Sequence, residues 1–388
     1  MIKFLSLIFI KNRNDYKNQK VREQYGILCG TTGIFLNLIL FAAKFTAGAV
    51  SASVAVTADA FNNLSDAASS VVSLLGFKLS SKKPDTEHPF GHGRLEYISG
   101  LVISFLILLM GIELMKSSVM SVVHPEPVRA GILPAAVMLV SVLVKFYMFC
   151  YNRSFARRLD SVSMEAASKD SLSDMAATSV AALSLFLSSV ADFPVDGVAG
   201  VAVSLFIIYT GIDSARDTVR PLLGGPVSKE FVDEIEREVL SHPPISGIHD
   251  LVVHDYGPGR KMISLHAEVP GDRNVFELHD AIDNAERALS EKFSCQAVIH
   301  MDPIDTADEK LRGFKEILSR ITADIGPELT VHDVRGVPGP THTNLIFDVI
   351  RPFGFRLTDR QLRDEFQRRM GAVCPDVNCV VTVDNPYC

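Results

Sequence analysis

The sequence contains no tryptophan among its 388 residues, and only 21% of them are charged. Soluble globular chains carry about 25% charged residues, so a purely water-soluble protein is disfavoured. A basic excess is also missing, because 38 Lys and Arg stand against 45 Asp and Glu for a net charge of −7. Nucleic acid is therefore excluded as the default partner. The six cysteines form no CxxC pair, which favours reduced thiols over a disulfide framework.

Apolar residues make up 47% of the chain, too many for a disordered protein, and they are concentrated in the first 220 residues. A charge-free run of about 18 residues is long enough to cross a membrane as a helix. Residues 26–43 form one such run, and two later stretches are long enough only if their acidic residues are tolerated. We expect six transmembrane helices within residues 25–220, after a cytoplasmic segment 1–24 that lies on the membrane surface. The candidate spans are 26–43, 52–77, 97–121, 130–151, 165–190 and 196–216.

Basic residues are distributed unevenly around these candidate spans. Residues 1–24 hold six Lys or Arg, and the loops 78–96 and 152–169 hold four each. The loops on the other side hold only Arg129. Because basic loops stay in the cytoplasm, the sequence predicts a multi-pass protein of the cell membrane with both termini cytoplasmic.

After Gly225 the composition becomes that of a soluble α+β chain, with a predicted order of αββαβ. We expect helices at 228–242 and 274–292 and strands at 247–255, 260–268 and 295–301. The pattern then repeats at an offset of 82 to 83 residues, which places His332-Asp333 opposite His249-Asp250. The sequence thus predicts two copies of one small module, at 226–305 and 306–388.

Acidic residues inside the second and fifth candidate spans are the strongest functional signal. Asn62 and Asp66 are four residues apart in the second span, and Asp170 and Asp174 are four apart in the fifth. Residues with this spacing share one helix face. If the two faces meet, four oxygen-bearing side chains converge within the membrane, where a divalent cation would offset their charge. A single acid at a helix end is often only a cap, but two matched pairs favour a site. Asp59 is an additional candidate ligand of this site. The alternative is that it lies at the entrance to the site or serves helix packing.

Three motifs extend this pattern: ADAFNNLSDAASS at 58–70, HPFGHGRLE at 88–96 and DSLSD at 170–174. Together they resemble the cation diffusion facilitator family of divalent-metal/proton antiporters over about residues 25–305. The resemblance implies a homodimeric transporter in the lipid bilayer rather than an enzyme, with six spans and a ferredoxin-like cytoplasmic domain. It also implies a transport site at Asn62, Asp66, Asp170 and Asp174.

The transport quartet departs from zinc-type members of the family because it contains no histidine. Imidazole suits zinc, whereas carboxylate and carbonyl oxygens suit manganese. The set is similar to the manganese-exporting branch, so Mn²⁺ is the favoured cargo, with Fe²⁺, Co²⁺ and Zn²⁺ left open. Without a histidine, Asp170 would have to carry the proton that the family exchanges for metal.

Two further ligand sets lie on the cytoplasmic side. Asp85, His88 and His92 are spaced so that one turn could gather them around an ion, and they coincide with a loop-borne metal site of the family. The alternative is an ordinary His-Pro turn with a cap. In the first module, five residues match the family's binuclear site at the dimer interface: His249, His266, His279, His300 and Asp302.

The second module keeps His332 and Asp384 but has Asp348 opposite His266 and Thr382 opposite His300. This set is too poor for a binuclear site. We interpret the module as a degenerate copy used for packing, dimer contact or weak sensing.

The sequence therefore predicts a secondary transporter that exports a divalent metal in exchange for protons, with metal also acting as regulator on the soluble module. Efflux of zinc, iron or cobalt by the same mechanism is the nearest alternative. A metal sensor without transport is a more remote one. An intramembrane metal-dependent hydrolase is disfavoured because the chain lacks a HExxH motif.

Overall fold

The computed structural model describes residues 2–16, 18–51, 54–123, 132–187, 195–305 and 308–385. The chain forms two compact units. The first contains residues Met1–Gly225 and the turn Asp255–Lys261, and the second contains Pro226–His254 and Met262–Cys388. Arg129, the single basic residue expected on the outer side, lies outside the described residues.

The first unit is helical. A short helix at the N-terminus is followed by six helices of 26 to 33 residues. At a rise of about 1.5 Å per residue, the shortest of them is about 39 Å long, which exceeds the hydrocarbon thickness of a bilayer. In chain order the helices are α1 Ile2–Phe9, α2 Gln19–Ser51, α3 Val54–Ser80, α4 Leu95–Val123, α5 Ile132–Leu159, α6 Val162–Leu187 and α7 Val195–Leu222.

Four helices of the described chain are both long and apolar enough to cross a membrane. They are α2, α4, α5 and α7. Helices α3 and α6 have the length but not the apolarity, since α3 carries Asn62 and Asp66 and α6 carries Asp170 and Asp174. The structure thus contains a membrane helical domain with four clearly apolar helices.

Helix α4 illustrates how the helical unit packs. Its buried positions are rich in small and polar residues, and large apolar residues such as Phe105 and Leu109 are exposed. Small residues let membrane helices approach closely. A Cβ atom added at Gly111 would lie 2.9 Å from Ile208 of α7. Ser104 of α4 donates to Ser214 of α7 at 2.8 Å. This distribution is typical of helices whose outer surface faces lipid rather than water.

The second unit contains two segments with the same order of elements. Each sheet has three strands in chain order, and each segment has its own apolar core. In the second segment the first two strands are antiparallel and the last two are parallel. The first segment comprises α8 Lys229–Leu240, β1 Gly247–Asp255, β2 Lys261–Pro270, α9 Val275–Phe293 and β3 Cys295–Ile304. The second comprises α10 Glu309–Ile325, β4 Thr330–Pro338, β5 Thr343–Ile350, α11 Asp359–Val373 and β6 Val377–Asp384.

The helix starts in this unit follow from local capping. Ser228, Asn274 and Asp308 cap α8, α9 and α10 by accepting backbone N–H groups with their side chains. At α11, Thr358 and Gln361 form a reciprocal capping box. The predicted helices and strands of the first module agree with the observed ones to within a few residues, because amphipathic periodicity and caps are both local signals.

Phe347 tests the independent core of the second segment. It is fully buried on β5, and its ring packs edge-on against Phe366 of α11 at 5.3 Å. Phe347→Ala should lower the free energy of unfolding of this segment by about 3–5 kcal/mol, because the cavity cannot fully collapse. Hydrogen exchange of the β5 amides in the purified protein measures this loss. Phe353→Ala, at a 77% exposed position, is the control. Equal protection in both variants would contradict this core assignment.

Candidate metal sites

Three buried carboxylates meet between α3 and α6. Asp66 of α3 and Asp170 and Asp174 of α6 are 7%, 9% and 7% exposed. One carboxylate oxygen from each lies within 4.8 Å of the other two. Helical spacing places Asp170 and Asp174 on one face of α6, and Asp66 of α3 lies against that face.

A buried lysine joins this cluster from a third helix. Lys145 of α5 donates to Asp66 Oδ2 at 2.7 Å and to Asp174 Oδ2 at 2.6 Å. Its side chain is 2% exposed. Charges taken out of water must be paired, and the ammonium group supplies that pairing here.

The amide nearest to the cluster in sequence is not buried with it. Asn62 is exposed, whereas its neighbour Asn63 is 1% exposed and accepts a hydrogen bond from Lys44 of α2 at 2.8 Å. The side chain of Asp59 lies outside the described residues. The structure thus gathers three members of the predicted quartet and adds a lysine.

The charges of the cluster fit a divalent cation. Three ionised carboxylates and one ammonium carry a formal charge of −2, which a dication would cancel. The three acidic side chains offer only oxygen ligands, the type that Mn²⁺ and Mg²⁺ prefer. Because Lys145 contacts one oxygen of Asp66 and one of Asp174, an arriving cation has to share or displace that contact.

The loop between α3 and α4 brings a second ligand set together. One ligand atom each from Asp85, His88 and His92 lies within 4.8 Å of the others. Asp85 accepts from Lys82 at 2.7 Å and from the backbone of His88 at 2.9 Å. These contacts hold the pKa of Asp85 well below its usual value, so the carboxylate is ionised at neutral pH. The Nδ1 atom of His92 is buried without a hydrogen-bond partner.

The first α+β segment contains a third set, centred on Asp302 at the end of β3. His249 Nε2 is 3.0 Å from Asp302 Oδ2, and His266 Nδ1 is 2.9 Å from the same oxygen. His300 Nε2 lies 3.3 Å from Oδ1. Neither ring nitrogen of His249, a 6% exposed side chain, makes a hydrogen bond of normal geometry. This imidazole has acidic neighbours but no well-oriented hydrogen bond, and a buried ring in that state fits a metal ligand.

His279 stands apart from this set. Its ring lies 3.6 Å from Asp283 on its own helix α9, and its side chain is largely exposed. Within one chain the structure therefore gathers four of the five residues matched to the binuclear site and leaves His279 on the helix surface.

These features define a multi-pass membrane protein with a C-terminal α+β domain. The protein-family model for the cation efflux transmembrane domain matches residues 31–223 of the sequence. The model of the cytoplasmic domain of cation efflux proteins matches residues 227–304. The chain belongs to this family, the cation diffusion facilitators, and is accordingly a cation efflux transporter rather than an enzyme.

Three similar proteins illustrate how much of the chain the family resemblance covers. An uncharacterized transporter of Methanocaldococcus jannaschii is 29% identical over 272 residues, covering 69% of this chain and 95% of the relative. The cation-efflux pump FieF of Klebsiella pneumoniae is 26% identical over 300 residues, covering 76% and 100%. The manganese efflux system protein MneS of Bacillus subtilis is 27% identical over 273 residues, covering 69% and 92%. About a quarter or more of this chain lies beyond what it shares with each relative.

Lys145 and Lys44 were missed by the sequence interpretation. Lys145 lies inside the apolar stretch 130–151 and Lys44 directly follows the stretch 26–43, whereas the predicted site consists of acids, amides and histidines. The signal was nevertheless present, because a lysine in a membrane span is as costly as an aspartate and marks a functional position equally well.

Replacing Lys145 tests its competition with metal. In Lys145→Met the metal-free protein should melt at a lower temperature, because Asp66 and Asp174 both lose the ammonium group that pairs with them. Mn²⁺ should restore stability with about tenfold higher apparent affinity, since no ammonium competes. Thermal unfolding in detergent across a Mn²⁺ series measures both effects. Lys78→Met, at an exposed position of α3, is the control. A wild-type Mn²⁺ dependence in Lys145→Met would refute the competition.

Proposed function

We propose that this chain is a proton-coupled exporter of divalent cations with Mn²⁺ as its favoured cargo. The observation that carries the proposal is the buried cluster of Asp66, Asp170 and Asp174 bridged by Lys145. Its oxygen-only carboxylate donors support a hard cation over zinc. The similarity to a protein named for manganese efflux supports the same choice.

In this proposal all six long helices cross the membrane, with both termini in the cytoplasm. The two helices that are not clearly apolar, α3 and α6, bury Asp66, Asp170 and Asp174 between them rather than exposing these acids to lipid. The uneven distribution of Lys and Arg between the two sides supports the orientation. The protein acts as a homodimer, for which the match to the family's cytoplasmic domain is the support.

The transport cycle follows from charge balance in a dry interior. The cation enters from the cytoplasm and is held by the carboxylates of Asp66, Asp170 and Asp174, while Lys145 keeps the remaining charge paired. Rocking of helices against each other then opens the cluster to the outside. Protons that bind the carboxylates there, Asp170 among them, replace the charge of the departing cation. Efflux of Zn²⁺, Fe²⁺ or Co²⁺ would use the same steps.

Asp174→Asn should abolish transport. The substitution preserves shape but removes one of three negative charges, so the site no longer balances a dication and Lys145 loses a partner. Uptake of Mn²⁺ into proteoliposomes with an acidic lumen, read by a trapped fluorescent dye, measures the effect. Asp213→Asn removes an exposed carboxylate that pairs with Lys169 and should keep most of the activity. Unchanged Mn²⁺ uptake by Asp174→Asn would refute the site, and gradient-independent binding without flux would favour a sensor.

Asn62→His tests whether the neighbouring amide takes part in metal selection. If the amide joins the carboxylates when an ion is bound, an imidazole in its place should shift preference from Mn²⁺ toward Zn²⁺ by about tenfold or more, because zinc favours nitrogen ligands. Parallel Mn²⁺ and Zn²⁺ uptake by the same vesicles gives the ratio. Asn62→Gln keeps an amide oxygen and serves as the matched control. An unchanged ratio would place Asn62 outside the transport site.

A further inference from the structure

The second α+β segment contains a ligand cluster that the family's metal sites do not account for. One ligand atom each from His332, Asp348 and Asp384 lies within 4.8 Å of the other two. The strand register explains the convergence. His332 on β4 pairs with Asp348 on β5, and Asp348 pairs with Thr382 on β6. Asp384 is two residues beyond Thr382 and therefore points to the same face of the sheet.

The imidazole of His332 is buried and lacks well-oriented hydrogen bonds, which favours a bound ion. It is 8% exposed, and neither of its ring nitrogens makes a hydrogen bond of normal geometry. A buried imidazole without hydrogen bonds is destabilising, unless another species uses its lone pair. This is the same condition as that of His249 in the first segment.

A fourth donor comes from the first segment. Asp250 Oδ1 lies 3.1 Å from His332 Nε2. Two ligand atoms that each lie about 2.1 Å from one ion at right angles are about 3.0 Å apart, so this pair has the spacing of co-ligands. The approach depends on backbone geometry, because Asp250 has a left-handed φ of 51°. Asp333, which follows His332, has the same φ of 51°.

The electrostatics around the cluster favour a cation. One ligand atom each from Asp348 and Asp384 lies within 4.8 Å of a ring nitrogen of His332, and Asp250 Oδ1 is 3.1 Å from that ring. Three carboxylates thus crowd around a single imidazole. A cleft of ≈ 300 Å³ whose lining includes Asp250, His266, His300 and Asp384 lies beside the cluster.

We infer that His332, Asp348, Asp384 and Asp250 form a metal site for a hard divalent cation that links the two α+β segments of one chain. With one nitrogen and three carboxylates, the donor set favours Mn²⁺ over Zn²⁺. The set around Asp302 is richer in nitrogen, so the two sites differ in preference. This site goes beyond the proposed transport function and does not depend on it.

Counting bound Mn²⁺ in the full-length protein tests the inference. In detergent, the decrease of the electron paramagnetic resonance signal of free Mn²⁺ gives the number of ions bound per chain. Asp348→Asn and Asp384→Asn should each bind one Mn²⁺ fewer than the wild type. His342→Ala, an exposed histidine of the same segment, should bind the wild-type number. Zn²⁺ should displace this ion at least tenfold less well than it displaces an ion from the first segment.

The proposed link between the two segments is tested by replacing Asp250, the ligand from the first segment. Asp250→Asn should weaken Mn²⁺ binding at this site by at least tenfold while the β4–β6 amides keep their hydrogen-exchange protection, which shows that the segment still folds. Unchanged affinity would overturn the link between segments. Unchanged stoichiometry in both Asp348→Asn and Asp384→Asn would overturn the site and reduce the cluster to an ion pair between His332 and Asp250. Asp174→Asn, which should lose transport, should keep this ion, so failure of one proposal is distinguishable from failure of the other.

Discussion

Unpaired charge cannot persist in an interior without water, and the helical unit is organised around that constraint. Asp66, Asp170 and Asp174 are buried together, and Lys145 bridges two of them at hydrogen-bond distance. Lys44 is likewise buried and donates to Asn63. The remaining helix surfaces carry the large apolar residues, and the helix contacts use glycine and serine. The acids can therefore remain in the membrane domain only as members of a compensated cluster, and a cluster compensated by a mobile cation is a natural basis for transport.

The ligand sets differ in their nitrogen content along the chain. The membrane cluster has carboxylates only, the loop set has two imidazoles with one carboxylate, and the set around Asp302 is dominated by imidazole. The cluster in the second segment returns to mostly oxygen. Because hard and borderline cations respond differently to these donors, one metal need not fill every site under the same conditions.

Much of this architecture could be predicted from local sequence signals. Helical periodicity placed Asp170 and Asp174 on one face, and caps and alternation located the strands of the first module. The partners that come from distant elements could not be predicted in this way. Lys145 reaches Asp66 only because α5 packs against α6, and Asp250 reaches His332 only because the two segments adjoin. The proximity of Asp348 to Asp384 likewise follows from the register of β5 and β6, which no local sequence signal gives.

The short connection between the two α+β segments has a further consequence. Strand β3 ends at Ile304 and α10 begins at Glu309, so only four residues join them. A tether of this length holds its two ends at an effective concentration in the millimolar range. Contact between the segments is consequently unimolecular and survives any dilution of the protein. The second α+β segment is thus beside the first from the moment of synthesis, independent of how many chains the membrane contains.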